Sequence, residues 1–191
     1  MSAARTFLLL AGLSMVAGCD RHPKQEVRAI APKVRAPAPL PNLDSLIRFD
    51  DPKECQFTDP MDRLFTSLIH INADYTISAG KPVVPRAYAA AFGSPTSTTD
   101  RNHLLTVTVP VRATWKGLRV VSIGGSAMPE SDVGWNTIRF AASRQVVMQK
   151  LNEAGMAIPA SGKRRHADPD DPMEYAAEVT VDGADTVLDC S

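Results

Sequence analysis

Leu104-Leu105-Thr106-Val107-Thr108-Val109-Pro110-Val111-Arg112-Ala113, followed beyond a Lys116-Gly117 turn by Leu118-Arg119-Val120-Val121-Ser122-Ile123, is the stretch that decides the fold. In its first half Leu105, Val107, Val109 and Val111 alternate with threonines. This period of two sets one side of a strand against a core and the other against water. The second half is a further apolar run, from Leu118 to Ile123. Together they predict a β-hairpin, rich in the branched side chains that suit a pleated surface. Pro110 has no N–H to give a neighbouring strand, which places the first strand at a sheet edge or at a bulge.

Upstream of the hairpin, Thr58 or Asp59 can cap a helix with Pro60 at its first position. Met61, Leu64, Phe65, Leu68 and Ile69 then fall on one helical stripe. Downstream, Thr137 to Ala141 predicts a short strand. Ser143 opens a second helix that carries Val147, Met148, Leu151 and Ala154 inward and stops at Gly155. Tyr175, Ala177, Val179 and Val181 alternate, then turn at Asp182-Gly183 into a last strand, Thr186 to Cys190. The Ser/Thr-rich segment Gly93 to Asn102 reads as a mobile loop. The expected class is α+β: one small domain over residues 42–191, an antiparallel sheet of about five to six strands, and two helices packed on one face.

The amino-terminal 41 residues have a different composition. Arg5 precedes an apolar segment from Phe7 to Val16, and the run Met15-Val16-Ala17-Gly18-Cys19 closes it. This arrangement resembles a bacterial lipoprotein signal peptide ending in its lipobox, over about residues 1–20, with Val16 where Leu is usual. The resemblance implies that residues 1–18 are removed and that the Cys19 thiol is joined to diacylglycerol. The new amino terminus would also be acylated, palmitate being the type of chain involved. Asp20 resembles an inner-membrane retention signal. The apolar segment is too short to cross a bilayer, which takes about 20 residues. Residues 19–41 then read as a lipidated terminus and tether, with Pro23, Pro32, Pro37, Pro39 and Pro41 and five basic side chains against two acids. At about 3 Å per residue such a tether reaches roughly 60–70 Å.

Of three cysteines, lipidation of Cys19 leaves Cys55 and Cys190, an even pair that suggests one disulfide between the two ends of the domain. From Asn42 onward 15 Lys and Arg face 19 Asp and Glu, with no basic cluster beyond Lys163-Arg164-Arg165, which argues against nucleic acid as a partner.

No catalytic motif is present. His22, His70, His103 and His166 have no histidine at i+3 or i+4, and no HExxH, CxxC, GxSxG or P-loop spacing exists. They read as scattered surface histidines, His166 within a charged loop. The carboxylates of Asp168, Asp170 and Asp171 lack the glycine and distal glutamate of a calcium loop, and Lys163 to Arg165 can balance them locally. No metal or cofactor is implied. The segment Gly124 to Trp135 reads as a loop of about a dozen residues between strands and is the candidate interaction surface. Met128 and Trp135 there are types enriched at interfaces, beside Glu130 and Asp132. The alternative is that Trp135 packs into the core.

These features lead to an expected function: an envelope lipoprotein, lipid-anchored and facing the periplasm, that binds another protein, for instance as an inhibitor or immunity factor. A structural or assembly lipoprotein of an envelope complex, or an enzyme with an unrecognised site, are the competing classes.

Overall fold

The alternation that begins at Leu105 runs unbroken to Trp115, and all six of its inward side chains are buried. In a computed structural model, residues 38–74, 76–129, 134–168 and 174–191 are described. The signal segment, Cys19, Asp20, the tether up to Pro37, Glu130, Asp132 and residues 169–173 lie outside them.

In chain order the elements begin with β1 (Phe49–Asp51), β2 (Gln56–Phe57), α1 (Asp59–Thr66), β3 (Ile69–Ile71), β4 (Ile77–Ala79) and a 3-10 helix (Arg86–Ala91). Then come β5 (Thr96–Thr99), β6 (Leu105–Trp115), β7 (Leu118–Ala127), β8 (Gly134–Phe140) and α2 (Arg144–Glu153), and finally β9 (Lys163–Arg165), β10 (Tyr175–Asp182) and β11 (Asp185–Cys190). One antiparallel sheet has the order β5-β6-β7-β8-β11-β10-β9, while β1 with β2 and β3 with β4 form separate two-stranded ribbons.

The main sheet therefore has seven strands, not five to six. Gly93 to Asn102 is not simply a loop: it contains β5, whose four hydroxyl-bearing residues pair with Leu105 to Thr108. Lys163-Arg164-Arg165 is the opposite edge strand. Strand outweighs helix, and the chain is mostly β.

Pro110 sits inside the sheet, at a bulge. The β6–β7 register shifts between Pro110 and Ala113, and β5 ends opposite Thr108, so no strand asks Pro110 for the N–H it lacks. Its carbonyl instead accepts a hydrogen bond from the Gly93 N–H at 2.8 Å.

Helix α1 is shorter than its stripe suggests. Thr58 occupies the N-cap position and Pro60 the first turn, but the helix ends at Thr66, with Leu68 buried beyond it and Ile69 already in β3. Met61, Leu64 and Phe65 of α1 and Val147 and Leu151 of α2 join the inward residues of the sheet in one core. Aromatic contacts run through it from α1 to β8: Phe65 to Phe57 (4.9 Å between centroids), Phe57 to Phe49 (4.8 Å), Phe49 to Trp115 (6.5 Å) and Trp115 to Phe140 (5.7 Å). The buried Trp115 indole N–H donates to the Ile47 carbonyl at 2.8 Å, satisfying the group that burial would otherwise leave without a partner.

Among the described residues this core runs from Leu43 to Cys190, within the compact unit Ala38–Ser191. The chain enters this unit beside the far end of β6: the Thr114 N–H donates to the Pro41 carbonyl at 2.8 Å and the Leu43 N–H to the Thr114 carbonyl at 2.7 Å. Cys55 and Cys190 form a disulfide, as their even count suggests, with α-carbons 5.6 Å apart.

Candidate interaction cleft

The last hairpin and β8 build the cleft. Register places Ile138, Leu188 and Val179 on the core side of β8, β11 and β10, which leaves Thr137, Asp189 and Glu178 on the outer face, opposite one another in adjacent strands. Trp135, two residues before Thr137, shares that face. Tyr175 reaches it by a different route. The β9–β10 register shifts between Tyr175 and Ala177, and the extra residue turns Tyr175 away from the side of Ala177 and Val179 on which simple alternation puts it. Val181, placed with them by the same alternation, is 59% exposed.

Trp135, Glu174, Tyr175, Glu178, Asp189 and Ser191 line a cleft of about 370 Å³. Its charges are arranged in pairs. Lys163 Nζ lies 3.0 Å from Glu178 and Arg165 2.6 Å from Glu174, and both cations lie over the Tyr175 ring, at 4.8 and 5.4 Å from its centroid. These strand partners hold two members of the basic triplet of β9. The remaining member, Arg164, donates to the Lys53 carbonyl at 2.9 Å.

Asp189 is the exception. Its Oδ1 accepts a hydrogen bond from the Thr137 hydroxyl at 2.8 Å, and among the described residues it has no cation within ion-pair distance. Burial, which disfavours the ionised form, raises its pKa above the ordinary aspartate value, and the nearby Glu178 charge acts in the same direction; the Thr137 bond and the Arg139 charge oppose them. Arg139 itself is taken by Asp182 at 2.6 Å and Asp185 at 3.7 Å.

Behind the cleft lies a latch. His166 is not a surface histidine: its Nδ1 is 3.0 Å from Glu54 and its Nε2 3.2 Å from the Ser191 hydroxyl, and its side chain is almost buried. The Ser191 hydroxyl donates to the Tyr175 carbonyl, so it can only accept from His166. Glu54 precedes Cys55 and Ser191 follows Cys190, so these bonds and the disulfide fasten the same two segments, under the rim of the cleft.

The residues singled out in the sequence fare differently. The expected loop 124–135 is mostly strand, because Gly124–Ala127 belong to β7 and Gly134 and Trp135 to β8. Met128, just past β7, is half-buried and is not part of the cleft. Trp135 is half-buried and absent from the core, so it does not serve as the core residue of the alternative reading. It also borders an apolar hollow walled by Phe65, Ile69 and Ile71. His70 is exposed in β3. Among the described residues no three His, Cys, Asp or Glu side chains are grouped to hold a metal ion, and no helix is long and apolar enough to cross a membrane. The residues missed in the sequence are Glu174, Tyr175, Glu178, Asp189 and Ser191. The polar positions of the last hairpin, Glu178 and Asp189, were legible as outward-facing; that they lie opposite one another follows only from register. Compared with known protein families, with curated proteins and with solved structures, the chain matches none.

Proposed function

We propose that this protein is a lipid-anchored envelope lipoprotein whose small α+β domain, facing the periplasm, binds another protein through the cleft around Trp135 and Tyr175. An inhibitor or immunity factor is the form of this function that best suits a binding face with no catalytic set beside it. Membrane attachment is through Cys19, with Asp20 favouring the inner membrane. The supporting observation is one of position. The chain joins the domain at the Trp115 end of β6, whereas Trp135, paired with Ser126, lies at the opposite end of the sheet. Leu118 to Ser126 separates the two ends by about 26 Å at roughly 3.3 Å per residue. A domain held at one end thus presents its aromatic cleft at the other, where a partner meets the least obstruction from the surface to which the domain is tied.

Two measurements test this. Metabolic labelling with an alkyne fatty acid should mark the chain and lose the mark in Cys19→Ser; an unlabelled wild-type chain rejects the anchor. Affinity capture from envelope extracts with residues 38–191 should retain a protein that Trp135→Ala loses, and equal recovery by both rejects the cleft as the binding face.

A further inference from the structure

We propose that the cleft accepts one cationic side chain, a lysine or arginine presented by the partner, set against Asp189 beside the Trp135 ring. This rests on the reading of the cleft as the partner-binding face. Among the described residues three side-chain carboxylates line the cleft, but two of them, Glu174 and Glu178, are matched by Arg165 and Lys163 from β9. One carboxylate is left over. Asp189 stands directly across from Glu178 in the neighbouring strand, a like-charge pairing that strand registers disfavour. Its one hydrogen bond comes from a neutral hydroxyl, on Oδ1, which leaves Oδ2 for a guest.

Both rings at the cleft suit the same guest. The Tyr175 ring already carries the chain's own two cations, so its occupancy shows the preference of such a surface. Trp135 has no such neighbour among the described residues, and indole is the ring that holds a cation best. An anion would meet an excess negative charge. A bare metal ion would find no set of three grouped ligands among the described residues. A single ammonium or guanidinium matches the charge left over and leaves its apolar stem for the indole.

The probe is a small amide titrated into residues 38–191, with the two indole N–H resonances followed by NMR. Nα-acetyl-arginine amide or its lysine counterpart should shift Trp135 saturably and leave the buried Trp115 unmoved. Asp189→Asn should weaken binding about tenfold, as loss of a charge-assisted hydrogen bond does. Lys163→Met, which frees Glu178, should tighten it. Lowering the pH should release the amide as Asp189 takes up a proton, starting above the ordinary carboxylate range. The proposal is overturned by equal binding of the uncharged citrulline amide, by an unchanged affinity in Asp189→Asn, or by no saturable shift up to tens of millimolar. Those failures would leave the acylation of Cys19 untouched, since the probe reports only the cleft.

Discussion

Asp189 shows what one residue costs its fold when its surroundings lean against its charge. Burial and Glu178 hold its pKa above the value of an unfolded aspartate. A carboxyl with a higher pKa in the folded chain disfavours folding when ionised; the penalty is absent below the unfolded pKa and complete above the folded one. Asp189→Asn, which keeps an acceptor for Thr137, should therefore raise the thermal midpoint at pH 7, and the gain should vanish near pH 3. Calorimetry at the two pH values checks this, and a gain that persists at pH 3 contradicts it. A site residue whose removal stabilises the protein is a common sign of binding purchased against stability.

A second test at this scale contrasts neighbouring glycines. A Cβ on Gly124 would meet the Val107 carbonyl oxygen at 2.7 Å, whereas one on Gly125 would meet the Ile69 and Leu68 methyls at 3.7 Å and the Asn136 Oδ1 at 3.8 Å, all ordinary contacts. Gly124→Ala should cost about 1–3 kcal/mol, as forced overpacking does, and Gly125→Ala little. Urea denaturation of the two variants separates them.

Among elements, those long enough to show a period were legible: the β6–β7 hairpin, the β10–β11 hairpin and the buried stripes of α1 and α2. The strands that escaped notice are short. β1, β2, β3, β4 and β9 have three residues or fewer, less than two full alternations, so neither periodicity nor propensity could mark them. β5 has four residues, all Thr or Ser, and its strand character comes from pairing with β6 rather than from its own apolar content. Lys163-Arg164-Arg165 reads as a charge run because it is an edge strand. Cations there protect an unpaired edge and reach Glu178 and Glu174 across the strand boundary. The cleft was half legible for a related reason: Trp135 stood out by type, but Tyr175 joined it through a one-residue bulge, and a single added residue reverses the face of everything before it. Replacing Ala176 should leave this geometry intact only if the bulge survives, so Ala176→Pro should shift the β9–β10 register and disturb the Trp135 resonance without touching the core around Leu64.

At the scale of the whole molecule, the Cys55–Cys190 bridge closes a loop spanning 135 positions and joins the segment before α1 to the end of β11. In the chain-entropy account such a loop is worth about 4–5 kcal/mol. Cys55→Ser with Cys190→Ser should lower stability by that order in urea, and reductant should bring the wild type to the same midpoint and leave the double variant unaffected. A much smaller loss would mean that the His166, Glu54 and Ser191 bonds already hold the two segments together.

The position of β11 has one more consequence. It follows β8 and β10 in the sequence, yet it lies between them, in the interior of the sheet. Until it is made, the β5-to-β8 portion and the β9–β10 portion have no strand in common, and both present raw edges. Assembly must wait for β11, and a chain that stops before Asp185 has nothing to bridge its halves. The topology thus tests for the presence of β11: a cell that clears unfolded chains would remove copies cut short before Asp185 without any dedicated sensor, because β11 alone joins the two portions of the sheet.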